Sequence, residues 1–217
     1  MCRRLTPLSV ADVRQAIRCL ESPDAVTALR HLAPEPMGSA YPNAVVCAIA
    51  DEEGKLAATE LVWGYVFDWQ RGPVFNARLD TALRPDSLWH ESLRHRRCLA
   101  PAADFFESHR SETTRSLRTG RPIKQQYRFA DAHSPVLLLA GIYEGDRFAV
   151  VTTEPSPDVA PVHDRMPLVL QPDEARLWLT GTLEQVAALA TRPSVPLTAE
   201  PEQPAPAPAA PSQPTLF

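Results

Sequence analysis

Hydrophobic residues in this chain cluster in runs of strand length. Between positions 44 and 170 lie "AVVCAIA", "TELVWGYVF", "RRCLAPA", "QQYRFA", "PVLLLAGIYE", "RFAVVTTE" and "PLVL". They are rich in β-branched and aromatic residues, and turn-forming or polar residues separate them, which predicts strands. Helical spacing appears in fewer places. In "SVADVRQAIRCLE", Val10, Val13, Ile17 and Leu20 repeat three or four apart behind Ser9, a candidate N-cap. A second helix is predicted over "QPDEARLWLTG", opening near Pro172 with Asp173 and Glu174 in its first turn and ending at Gly181. "TLEQVAALA" adds a further turn or two, "APEPMGSAYP" is a Pro-rich loop, and "SHRSETTRSLRTGRP" is an exposed basic hairpin or loop. Strands outnumber helices and do not alternate with them. The predicted class is therefore α+β, with a mixed or antiparallel, barrel-like sheet, flanking helices and no βαβ array.

The pattern changes near residue 193. "EPEQPAPAPAAPSQPTLF" holds six prolines between 201 and 214 and offers little to bury. This predicts an extended, disordered tail stiffened toward polyproline II. The chain of 217 residues divides accordingly into one catalytic domain over 1–192, a Pro/Ala-rich linker over 193–212 and a terminal peptide over 213–217.

Composition is that of an ordinary soluble protein, with 44% hydrophobic and 22% charged residues. No stretch resembles a signal peptide or a membrane span, which predicts a cytoplasmic protein. The four cysteines (Cys2, Cys19, Cys47, Cys98) lack any CxxC pairing, which argues for reduced thiols and against a zinc site. Net charge is −4, but residues 71–128 carry a local net of +6, leaving −10 elsewhere. The basic middle is either a footprint for phosphates or a solvated face with scattered arginines.

Candidate chemistry falls in four stretches: Cys2 with Arg4, "FNARLDTA" with Asn76 and Arg78, "RRCLAPAADFFESHR" with Glu107, and "PVHDRMPLVL" with His163 and Arg165. Together Cys, Glu, His and Asn supply a nucleophile, an acid–base pair and an orienting amide. Singly, each has a plain structural reading as a strand end, a turn residue or a cap. Cys2 adds something unusual. Were Met1 removed, its α-amine and thiol would sit on adjacent carbons as a 1,2-aminothiol.

In this order the motifs "MCRR", "WGYVFDW", "NARLDT", "RRCLAPAADFFES", "AGIYE", "VVTTE" and "VHDRMP" resemble those of the SRAP family, the SOS response-associated peptidases or abasic-site processing proteins. The resemblance runs over about residues 2–180. It implies DNA-damage chemistry in which Cys2, Asn76, Glu107 and His163 are catalytic, with no metal or cofactor. The Cys2 amine would form a Schiff base with the aldehyde of an abasic site in single-stranded DNA, and its thiol would close a thiazolidine crosslink. Glu107 would move protons and assist removal of Met1, His163 would serve the sugar hydroxyl, and Asn76 would orient Cys2. Arg4, Arg78 and Arg165 would bind phosphates and Trp69 would stack on a base. The protein would be a nucleoid-associated monomer. Three departures stand out: Arg3 where the family has glycine, Asp80 where it has glutamate, and Ser108 where it has an aromatic residue.

The last five residues, "QPTLF", resemble the Gln-x-Ser/Asp-Leu-Phe peptides with which bacterial proteins dock on the replicative sliding clamp. Gln213, Leu216 and Phe217 match. Two other functions remain open: a thiol peptidase acting on protein substrates, and a non-catalytic module that binds single-stranded DNA and the clamp.

Overall fold

The computed structural model describes residues 2–35 and 37–203. The linker beyond 203 and the terminal peptide with Gln213, Leu216 and Phe217 lie outside the described residues. In chain order the strands are β1 (Arg4–Pro7), β2 (Val45–Glu52), β3 (Lys55–Trp63), β4 (Asn76–Arg78), β5 (Arg97–Arg115), β6 (Pro122–Asp131), β7 (Leu137–Glu144), β8 (Arg147–Thr153), β9 (Met166–Pro167), β10 (Val169–Leu170) and β11 (Leu197–Pro201). The α-helices are α1 (Val10–Leu20), α2 (Ala25–Arg30), α3 (Leu79–Ala82), α4 (His90–His95), α5 (Ala175–Thr180) and α6 (Leu183–Ala188).

Five strands close into a ring: β2 pairs with β3, β3 in parallel with β8, β8 with β7, β7 with β5, and β5 back with β2. The α+β, barrel-like expectation holds. Alternation along each strand explains why the sequence shows hydrophobic runs instead of alternating polarity. Val46, Ala48, Ala50, Cys98, Ala100, Leu139, Phe148 and Val150 fill one core, within the ring. Their neighbours Cys47, Ile49, Leu99, Leu138, Ala140, Ala149 and Val151 join Val13, Ile17, Trp178 and Val186 of the helices in a second core outside it. Both faces are buried, so both parities must be apolar.

Helix α1 starts where Ser9 Oγ accepts from the Asp12 amide at 3.1 Å. The second predicted helix is broken in two: a 3-10 turn over Pro172–Glu174 leads into α5, and Thr182 and Gln185 then form a capping box for α6. The buried Arg97 guanidinium donates to the carbonyls of Leu93, Leu179 and Gly181, where α4 and α5 end. A cation there complements the negative ends of both helix dipoles.

Two differences from the sequence reading matter for the site. First, the strand predicted over "RRCLAPA" continues through Arg115 and supplies one arm of the basic hairpin expected over "SHRSETTRSLRTGRP", which β5 and β6 form. Second, the fold does not end at 192. Residues 197–201, expected in the extended tail, form β11 and pair with β6, Leu197 opposite Asp131 through Pro201 opposite Tyr127. An edge strand of β6 was left unpaired, and Val195 and Leu197 had core sites to fill. Among the described residues no helix is long and apolar enough to cross a membrane.

Gly64, beside the buried Trp63, has φ +113°, and a Cβ there would lie 2.5 Å from the Cβ of Pro73. Gly54 also has positive φ, +85°, but faces open space. Gly64→Ala is expected to lower unfolding free energy by well over the ~1–3 kcal/mol of backbone strain alone, and Gly54→Ala by no more than that strain. Denaturant titration of the two variants side by side checks the difference.

Candidate active site

The site forms where the start of the chain meets the middle of β5. β1 runs antiparallel to β5, with Leu5 opposite Phe105 and Arg4 opposite Phe106. This carries Cys2 alongside Glu107. Cys2 is fully buried and its Sγ–H points to the Arg4 carbonyl at 3.5 Å. Arg3 is exposed, so the residue that replaces the family's glycine directs its side chain to solvent.

Asn76 comes from β4, a three-residue strand parallel to β8. Trp63 Nε1 donates to the Phe75 carbonyl at 2.9 Å, and the Val150 amide donates to the same oxygen at 3.0 Å. So anchored, Asn76 Nδ2 donates to the Cys2 carbonyl at 2.8 Å. The "WG" motif thus acts through β4. That role was not visible in the sequence, although the Trp-Gly pair marked the place.

Glu107 is only 2% exposed. His163 is brought to it by the loop after β8. The β5–β6 register slips between Ser108 and Thr113, which frees the Arg110 amide to donate to the Val162 carbonyl at 3.0 Å. Arg110 Nη2 also donates to the Ala160 carbonyl at 3.0 Å. His163 Nε2 then lies 3.9 Å from Glu107 Oε2, with Nδ1 3.1 Å from Asp164 Oδ1 and at 3.1 Å from the Arg165 backbone. Asp164 and Arg110 are contributors that the sequence reading missed. Both lie within quoted motifs, but only the fold shows which way they face.

Electrostatics follow from burial. Desolvation pushes Glu107 up from 4.5 to about 7. Burial lowers His163 from its ordinary value. Burial, and then the negative charge of Glu107, raises the Cys2 thiol well above the usual range. The site therefore holds a protonated thiol beside a carboxyl able to exchange protons near neutrality and an imidazole shifted toward its neutral form.

The residues expected to contact DNA separate into groups. Arg78 pairs with Asp80 at 2.8 Å, and Arg165 lies 3.5 Å from the same carboxylate while donating to the Thr152 carbonyl at 2.8 Å. Asp80, shorter than the family's glutamate, still reaches both arginines. Trp69 is 69% exposed and stacks on Phe67, which stacks on Tyr65. Ser108 accepts from Gln126 Nε2 at 2.6 Å. Arg4 lies on the other face of the β1–β5 pair, over the Phe106 ring and against Glu202.

The sequence model of the family "SOS response associated peptidase (SRAP)" matches residues 1–201. Among curated proteins, the chain is 27% identical over 157 residues to the abasic site processing protein YedK of Escherichia coli (strain K12), covering 67% of this chain and 66% of that one. It is 25% identical over 159 residues to the abasic site processing protein YoaM of Bacillus subtilis (strain 168), covering 67% and 66%. The chain thus spans just under two thirds of the length of these relatives. Among solved structures, a phage-related protein of Bordetella bronchiseptica superposes with TM-score 0.67 at 24% identity over 93% of this chain and 94% of that one. A protein from Bacteroides thetaiotaomicron gives 0.66 at 20% identity over 93% and 92%. Both likenesses concern the fold.

The Glu107 environment makes a signed prediction. Its pKa is raised on folding from 4.5 to about 7, so ionising it in the folded state costs stability. That cost is absent below pH 4.5 and complete above pH 7. Glu107→Gln is expected to gain on the order of 3 kcal/mol relative to the parent as pH rises through that window. Urea unfolding at several pH values checks it, and a pH-independent difference would refute the perturbed carboxyl.

Proposed function

The chain belongs to the SRAP family, and on that premise we propose that it captures abasic sites in single-stranded DNA covalently through Cys2. The observation that carries the reading is the convergence of Asn76 and Glu107 on buried Cys2, with His163 beside Glu107. The names of its curated relatives, abasic site processing proteins, supply the substrate.

Once Met1 is removed, with Glu107 as the assisting group, the Cys2 α-amine has an ordinary pKa of ~7.7–8.0 and is partly neutral at physiological pH. It adds to the open-chain aldehyde of the abasic deoxyribose and forms a C–N bond. Loss of one water gives the imine. The thiol then adds across the C=N bond: sulfur bonds to carbon, the thiol proton ends on nitrogen, and a five-membered thiazolidine closes. A thiol made less acidic by burial needs a base for this last step. Glu107, near pKa 7, is suited to take that proton and to have donated one to the departing water. His163, kept neutral by burial, serves the sugar hydroxyl and the reverse reaction. Asn76 holds the Cys2 carbonyl and so aims the amine. Arg78 and Arg165 exchange Asp80 for flanking phosphates, and exposed Trp69 offers a ring to a neighbouring base.

The same burial weighs against a thiol peptidase acting in trans. Such a nucleophile works as a thiolate in an environment that lowers its pKa, whereas Cys2 is shifted the other way. Docking of Gln213, Leu216 and Phe217 on a sliding clamp would raise the local concentration of this chemistry at replication forks.

Incubation with single-stranded DNA carrying one abasic site should give a slow, heat-stable band on a denaturing gel. Cys2→Ala and a form that retains Met1 should give none, and Glu107→Gln should slow its appearance about 10²–10⁴-fold. Absence of the band with DNA binding intact would overturn the proposal. Leu216→Ala with Phe217→Ala should abolish binding to the purified clamp while leaving capture unchanged.

A further inference from the structure

Arg4 and Glu202 join the two ends of the described chain. Glu202 lies one residue past the stretch matched by the family. Its amide donates to the Gln126 carbonyl at 2.8 Å and its own carbonyl accepts from Gln125 Nε2 at 2.9 Å, so its backbone is fixed on β6. Its carboxylate meets Arg4 Nη2 at 2.5 Å, with the two side chains 35% and 17% exposed. The guanidinium lies 3.5 Å over the Phe106 ring. Arg4 and Phe106 are opposite one another in the β1–β5 register, so they share the face turned away from Leu5, Phe105 and Glu107. The Arg4 carbonyl, in turn, is the group that accepts from the Cys2 thiol.

These contacts form one line: β6 fixes Glu202, Glu202 and Phe106 fix the Arg4 side chain, and the Arg4 backbone orients Cys2. We infer that Glu202 is a positioning residue for Cys2, acting through Arg4, and that Arg4 serves as a clasp on the N-terminal strand in place of a phosphate contact. The inference rests on the capture reading above.

The test uses the full chain and two single-stranded oligonucleotides. One carries an abasic site, for single-turnover capture. The other carries a tetrahydrofuran in its place, which has no aldehyde and reports Kd. Glu202→Ala is expected to slow capture at saturating DNA about tenfold. Kd should stay within about twofold, and Glu202→Asp should recover most of the rate. Arg4→Ala should behave like Glu202→Ala. The inference is overturned if Glu202→Ala captures at the parental rate. It is also overturned if Glu202→Ala tightens Kd while Arg4→Ala weakens it and lowers the salt slope by about one, the signature of a phosphate contact. If the parent forms no crosslink, the capture reading fails instead. Hydrogen exchange at the Leu5 and Thr6 amides then decides: faster exchange in Glu202→Ala supports the clasp, and unchanged exchange refutes it.

Discussion

The antiparallel pairing of β1 with the centre of β5 fixes where the start of this chain lies. β1 has four residues and little surface of its own, so its place comes from the neighbour it joins. β5 spans 19 residues and pairs in addition with β2, β6 and β7, and so belongs both to the ring and to the hairpin that projects from it. Placing Cys2 against so constrained a strand gives it the fixity of a core residue. The remaining parts of the site are delivered to the same spot: β4 from one side by way of Trp63 and Phe75, the His163 loop from the other by way of Arg110.

Burial then sets the chemistry. Glu107, His163 and Cys2 share a region from which water is largely excluded, and each shifts toward its neutral form. A neutral acid beside a neutral imidazole carries little electrostatic self-energy and can pass a proton in either direction. Charge is kept at the margin, where Asp80 lies between Arg78 and Arg165. The arginines are thereby oriented and partly neutralised.

Much of this was legible in the sequence. Runs such as "PVLLLAGIYE" and "RFAVVTTE" announced strands, and Ser9 with its helical periodicity announced α1 with close to its true limits. The motif order pointed to Cys2, Asn76, Glu107 and His163, which the fold brings together. Short elements escaped: α2, α3 and α4 are four to six residues long, below the length at which periodicity shows. β1, β4 and β11 escaped because each depends on a partner far away in sequence. The direction of Arg4 escaped for a similar reason. A strand has two faces, and only its register with β5 decides which one looks into the site.

The parallel contact between β3 and β8 has one more consequence. It closes the ring by joining Val62 and Trp63 to Arg147 and Phe148, some eighty-five residues further on. Contacts of such sequence separation form late, since the loop entropy must be met before they contribute. Residues 2, 76, 107 and 163 are likewise far apart in sequence, and their convergence rests on further long-range pairings, β1 with β5 and β4 with β8. Until those pairings form, Cys2 is an ordinary thiol on a loose strand, without Asn76 and Glu107 beside it. The setting of Cys2 is a property of the finished topology, assembled from segments that no local stretch of the sequence contains.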